Sequence, residues 1–182
     1  MHADTLRTVR RLAAAAVASA VLAAASPASA GDSAGTIGVE LNVSSACLVN
    51  GATSAAADLG QTGKIQFPDQ PGQFDDVDGE LVGSLGALSI RCSPGAAPSL
   101  TIGSGAHDAG GVRRMASNGS TVAYRLFTNA SRSDEITIGR QLALPTATAA
   151  AITVPIYART STGGQLLAPG KYTDTVQVTL SW

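Results

Sequence analysis

The sequence predicts an all-β fold, and within that class a β-sandwich. Short segments in which apolar and polar residues alternate recur along the chain, and turn-forming residues separate them. No segment shows a 3.6-residue apolar period between helix caps. Twenty Gly and eight Pro among 182 residues agree with a chain that turns often. These observations favour many short strands of a sandwich.

Seven alternating segments are the predicted strands, and the apolar side chains at every second position of each form one face. They cover residues 36–44, 86–92, 99–102, 121–127, 135–138, 152–157 and 172–182. Pro155 interrupts the sixth segment and predicts an edge or a bulge there, because proline has no backbone N–H to donate. For residues 50–84 we expect one short strand at 65–67 and a long acidic loop. The Ala-rich stretch 145–151 could form a single helical turn.

The first thirty residues have the features of a secretory signal peptide. Three arginines between positions 7 and 11 precede an apolar run from Leu12 to Ala25, and the small residues 28–30 fit a cleavage site. The apolar run is shorter than the roughly twenty residues that span a bilayer. We therefore expect residues 1–30 to be removed and residues 31–182 to be exported, with no membrane span in the mature chain.

Charge and composition argue against nucleic acid as a partner. Twelve Lys and Arg stand against thirteen Asp and Glu, so the formal net charge is −1 at pH 7. Binding to a phosphate backbone needs a surplus of basic residues, and none exists. Aromatic residues make up only 4% of the chain, which leaves few platforms on which bases or sugars could stack.

Cys47 and Cys92 are the two cysteines of the chain. In an oxidising compartment, two cysteines in a small domain usually form a disulfide. Such a bridge would close a loop of 45 residues, worth about 4 kcal/mol in the loop-entropy model. A metal site is the weaker interpretation, because the spacing is long and His107 is the one histidine after residue 30. We expect no metal and no cofactor.

The sequence offers one candidate for a catalytic base, in the pair His107-Asp108. Ser104 lies nearby in Gly103-Ser104-Gly105, but a nucleophile elbow requires the spacing Gly-x-Ser-x-Gly. A solvated histidine in a Gly-rich loop explains the pattern better. We therefore predict that the protein is not an enzyme.

The acidic run from Asp75 to Glu80 resembles half of a calcium-binding loop. An EF-hand pattern would place Phe74 at the first ligand position and Leu85 at the twelfth, and neither side chain can bind a cation. A solvated acidic loop is therefore the better interpretation.

The segment before Cys47 is apolar on one face and poor in charge. Its inward side chains would be Ile37, Val39, Leu41 and Val43. Such a segment is either the first strand of its own domain or a strand offered to another sheet. The pattern alone favours its own strand. An uncovered strand edge promotes aggregation, so some partner would have to cover it.

Taken together, the sequence motifs resemble the spore coat protein U domain family, and most closely the Csu-type major pilins of archaic chaperone–usher pili. The resemblance covers essentially all of residues 31–182. The motifs that carry it are 39–47 (VELNVSSAC), 88–92 (LSIRC), 114–115 (RM), 122–132 (VAYRLFTNASR), 154–157 (VPIY) and 168–182 (APGKYTDTVQVTLSW). The last block is the most specific. The family often has Asp where Asn129 stands, and Tyr or Phe where Trp182 stands.

This resemblance implies an incomplete immunoglobulin-like β-sandwich that is completed by a donor strand from another subunit. In the family, a periplasmic chaperone first fills the groove, and the N-terminal segment of the next subunit replaces it at an outer-membrane usher. Residues 31–46 would be the donor segment and 47–182 the pilin domain. Ile37, Val39, Leu41 and Val43 would fill the groove of a neighbour. The groove of the chain's own pilin domain would be flanked by the C-terminal strand, through Val176, Val178, Leu180 and Trp182.

The predicted function is therefore that of a structural pilin subunit, in the periplasm and then in a cell-surface fimbrium. Its partners would be identical or related pilin subunits, the chaperone and the usher. Surface attachment and biofilm formation would be its role. The alternative is a secreted, self-complete β-sandwich that binds glycans or matrix or serves as a coat protein. The boundary between the donor segment and the first strand of the chain's own domain could lie anywhere between Val43 and Cys47.

Overall fold

The computed structural model describes residues 31–52, 58–82 and 87–182, and in these ranges it contains strands and turns but no helix. The all-β prediction is therefore confirmed. The predicted signal peptide, residues 1–30, lies outside the described residues. Residues 31–41 and 42–182 belong to separate units. Residues 31–46 contain no strand, so the strand predicted at 36–44 is not formed in this structure.

Eleven strands make up the described part of the domain. They are β1 (Cys47–Val49), β2 (Lys64–Gln66), β3 (Val77–Val82), β4 (Leu88–Cys92), β5 (Ser99–Gly105), β6 (Arg114–Ser117), β7 (Ser120–Phe127), β8 (Gln141–Ala143), β9 (Ile152–Val154), β10 (Tyr157–Thr160) and β11 (Val176–Ser181).

The strands form three antiparallel sheets. The first has the order β1-β4-β9, the second β2-β3-β10-β7-β6 and the third β11-β5-β8. Asn118 and Gly119 close the β6–β7 hairpin with φ angles of 46° and 82°. This Asn-Gly turn is favoured there because both residues tolerate the left-handed region that a two-residue hairpin needs.

One apolar core joins the three sheets. Its most buried side chains come from each of them, with Ile90 on β4, Leu100 and Ile102 on β5, and Leu126 on β7. Ile136, which follows β7 in a loop, is also fully buried. The alternation read from the sequence therefore identified the inward faces of β4, β5 and β7 correctly.

Other sequence predictions need correction. The acidic run predicted as a loop contains β3, because Asp78 and Glu80 project outward from a strand paired with β10 and β2. The segment 135–138 makes only a single bridge, Phe127 with Glu135. Residues 145–151 form no helical turn. Two short strands were not predicted: β6, which is half-buried, and β8, in which two of three residues are exposed.

The single strand predicted at 152–157 is two strands in the structure. Pro155 separates β9, which is an edge strand as predicted for part of the segment, from β10, which lies inside another sheet. The disulfide prediction is confirmed. Cys47 and Cys92 form the predicted disulfide, and they lie opposite each other in the pairing of β1 with β4. The bridge ties a strand of only three residues to the rest of its sheet.

Candidate functional site: an open strand edge

β11 has a strand partner on one side only. It pairs with β5 from Val176 opposite Gly105 to Ser181 opposite Ser99, and no other strand of the described residues pairs with its second edge. Its inner side chains, Val176, Val178 and Leu180, are half-buried against the core, whereas the side chains between them are exposed. A strand of this kind presents a row of unpaired backbone groups beside apolar side chains.

The edge of β11 differs from the other sheet edges in the described part of the chain. β1, β2, β6, β8 and β9 also end their sheets, but each has only three or four residues. β11 has six residues, none of them charged. Proteins commonly protect exposed edges by shortening them or by placing charges on them. β11 has neither protection.

The segment 31–43, before β1, pairs with no strand of the described residues either. The side chains of Ile37, Val39, Leu41 and Val43 are between 83% and 93% exposed. Four large apolar side chains at alternate positions are seldom left in water unless another surface covers them. That these four side chains fill a groove in a neighbour stays a prediction.

Trp182 marks the end of the open edge. Its indole Nε1 donates a hydrogen bond to the backbone oxygen of Ser45 at 3.2 Å, and half of the residue is exposed. The contact brings the end of β11 to the residues just before β1. A surface cavity lined by 43–45 and 93–96 lies beside the same point. The start of β1 and the end of β11 therefore meet at one place on the domain.

The start of β11 is fixed by Asp174, a residue of the motif 168–182 to which the sequence analysis gave no role. Its side chain is only 3% exposed. The carboxylate accepts a hydrogen bond from the Tyr124 hydroxyl at 2.7 Å and from the backbone N–H of His107 at 3.2 Å. Burial, together with the hydrogen bond to Asp174, raises the pKa of the Tyr124 hydroxyl well above its ordinary value.

Arg113 is buried beside the same strands, at 3% exposure. Its guanidinium donates to three backbone oxygens, those of Gly103 at 2.9 Å, Ile136 at 2.6 Å and Ile102 at 3.0 Å. Burial lowers the pKa of Arg113, while the nearby Tyr124, Glu135 and Asp174 oppose that shift. Two of these oxygens, those of Ile102 and Gly103, lie at a β-bulge of β5. Val176 and Val178 of β11 are two residues apart, whereas their partners Gly105 and Ile102 are three residues apart.

The candidates for catalysis and for calcium contact other parts of the domain. His107 Nδ1 lies 3.1 Å from Asp174 Oδ1, and within the described residues no hydrogen bond joins His107 to Ser104. Asp78, from the acidic run, is bound by the guanidinium of Arg159 at 2.7 Å and by Arg132 at 2.9 Å. The hydrogen bond from Arg159 is the main reason that the pKa of Asp78 is lowered.

Within the described ranges, none of the chain forms a helix long and apolar enough to cross a membrane.

The strands, the disulfide and the open edge define a class of all-β domains in which a six-residue edge strand has a partner on one side only. The chain belongs to the Spore Coat Protein U domain family, whose model matches residues 33–179. The resemblance found in the sequence is therefore confirmed. The comparison with curated proteins found no match.

Two solved structures are similar to this chain. The first is the CsuC–CsuE chaperone–tip adhesion subunit pre-assembly complex from the archaic chaperone-usher Csu pili of Acinetobacter baumannii, with a TM-score of 0.52 and 19% identity. The match covers 77% of this chain and 40% of that chain, so this chain spans less than half of its length. The second is the P pilus rod subunit PapA, with a TM-score of 0.40, 17% identity, and coverage of 74% and 97%. The first likeness supports an immunoglobulin-like β-sandwich fold.

Proposed function

We propose that this protein is a structural pilin subunit of a chaperone–usher fimbria, polymerised by donor-strand exchange. One observation carries the proposal. The same chain contains an uncharged six-residue edge that lacks a neighbouring strand, and an exposed, alternating apolar segment that lacks a sheet. Each supplies what the other lacks, and the similar Csu structure contains a subunit of a chaperone-usher pilus.

The chemistry of the contact is strand addition to a sheet edge. Backbone hydrogen bonds to β11 supply affinity, and the alternate side chains of the incoming segment supply the fit. Ile37, Val39, Leu41 and Val43 would cover Val176, Val178 and Leu180 of a neighbouring copy. Because the donor and the acceptor are different surfaces of one chain, the contact is head-to-tail and generates a filament.

The remaining parts of the proposal follow from this contact. Residues 1–30 direct export and are removed, residues 31–46 are the donor, and residues 47–182 are the acceptor domain. A subunit with an open edge needs a temporary cover in the periplasm, which a chaperone supplies before the outer-membrane usher. The assembled fimbrium lies at the cell surface, where it supports attachment and biofilm formation.

A peptide of residues 35–45 tests the proposal directly. We expect it to bind the chain that carries Leu41→Lys, which cannot act as its own donor. Trp182, the one tryptophan of the sequence, is half exposed at the end of β11. Strand addition should therefore cover its indole and shift its fluorescence to shorter wavelength in a saturable titration.

The matched control is the same peptide carrying Leu41→Lys. Its affinity should be more than about a thousandfold lower, because a buried ammonium replaces a buried Leu side chain. Equal titrations for the two peptides, or no binding of the unmodified one, would favour the self-complete binding module instead.

A further inference from the structure

An edge strand with one partner must stay ordered before any donor arrives. β11 receives backbone hydrogen bonds from β5 alone, so its other edge contributes nothing to holding it. Strands of this kind open locally at a lower free energy than central strands. A binding site that must order itself on binding loses affinity, whereas a preformed one does not. The contacts at the two ends of β11 therefore decide whether the edge is preformed.

The residues that lead into β11 are fixed one after another. Thr173 exchanges two backbone hydrogen bonds with Ala116 of β6, at 2.9 and 3.1 Å. Asp174 is bound by Tyr124 of β7 and by the His107 backbone. The Thr175 backbone oxygen accepts from the Ala106 backbone N–H at 3.0 Å. Three successive residues are thus held by three different parts of the domain.

The place that receives Asp174 is shaped for it. Gly105 lies opposite Val176, and a Cβ at Gly105 would overlap the Asp174 carboxylate. The bulge in β5 places Gly105 on the same inner face as Ile102 and Leu100, as their burial shows. Arg113 binds the backbone oxygens of Ile102 and Gly103 at that bulge. The missing side chain of Gly105 leaves space for the Asp174 carboxylate, and Arg113 holds the backbone of the bulge that places Gly105 there.

We propose that Asp174, seated over Gly105 and bound by Tyr124, is a positioning residue that anchors the start of β11 and keeps its free edge preformed for an incoming strand. Trp182, bound to Ser45, holds the opposite end. Between the two anchors the edge stays open and ordered. The use of that edge by a donor rests on the proposed function, but the anchoring itself is a property of the domain alone.

Amide hydrogen exchange tests the anchor without any donor. The full chain carrying Leu41→Lys serves as the parent, and exchange is recorded for 176–181 and, as references, for β4 and β7. Asp174→Asn and Gly105→Ala should each speed exchange of 176–181 by about tenfold or more, with the reference strands changed by less than about twofold. Asp108→Asn is the matched control, since Asp108 is an exposed acid in the adjacent loop.

Unchanged exchange of 176–181 in both variants would overturn the inference. A uniform rise in the exchange rate of every strand, or loss of folding, would overturn it as well. Either result would mean that Asp174 stabilises the whole domain and not β11 in particular. The peptide of residues 35–45 separates this result from the proposed function. If the anchor is right and the parent binds the peptide, both variants should bind it with a lower affinity than the parent, because a larger fraction of their molecules must first order the edge. If the parent fails to bind it, the proposed function fails while the exchange result stands.

Discussion

Replacing Leu41 by Lys should abolish fibre assembly in cells while leaving capture of the subunit by the periplasmic chaperone unchanged. Leu41 lies in the middle of the exposed segment and is 83% exposed before assembly. Burial of a Leu side chain contributes about 1.5–3 kcal/mol, and burial of an unpaired ammonium costs several kcal/mol more. The combined change weakens the contact by more than about a thousandfold. Fibre yield by electron microscopy and chaperone co-purification are the two measurements.

Asn42→Lys is the matched control for this variant. It adds the same charge one residue away, on the opposite face of an extended segment. Fibres should form with Asn42→Lys and not with Leu41→Lys. Chaperone capture should persist in both, because the chaperone covers the acceptor edge and leaves the donor segment free. Normal fibre yield with Leu41→Lys would show that the donor assignment is wrong.

The second large effect is expected from the disulfide. Replacing both Cys47 and Cys92 by Ala should lower the free energy of unfolding by about 4 kcal/mol, because the bridge closes a loop of 45 residues. β1 has three residues and one partner strand, so little else holds it. Urea denaturation of the Leu41→Lys chain should show the midpoint lowered by more than about 1 M. Chaperone capture should weaken in parallel.

A reductant supplies the control for the disulfide. It should reproduce the loss of stability in the chain with both cysteines and have no effect on the double Ala variant. An unchanged urea midpoint and equal chaperone capture in the double variant would contradict the view that the bridge secures β1 to the sandwich.

The parts of the fold that the sequence predicted are those in which alternation is local and one face is fully buried. β4, β5 and β7 have this pattern, and their inward residues were identified from it. β3 was missed because its outward positions, Asp78 and Glu80, dominate the composition of the run. Asp78 is compatible with a strand because Arg159 and Arg132 neutralise it from distant parts of the chain. A local pattern cannot contain that information.

Some features of the candidate site can be predicted from the sequence and others cannot. The apolar alternation of β11 and of the segment before Cys47 is visible, because each of these segments is contiguous in the chain. The anchor at Asp174 is not, because its partner Tyr124 lies 50 residues away and His107 lies 67 residues away. In the sequence, Asp174 looks like an ordinary acidic residue in a turn. Only the fold shows that the Asp174 side chain is buried, and that Arg113 is buried near it.

The central claim is that the segment of one copy completes the sandwich of another. Chains beginning at residue 31, with a photo-cross-linking amino acid at position 41, would be prepared in light and in ¹⁵N-labelled form, mixed unfolded and refolded together. Irradiation followed by mass spectrometry should give links from position 41 to residues 176–181 that join light to heavy chains, within a ladder of oligomers. A monomer whose links all lie within single chains would contradict the claim.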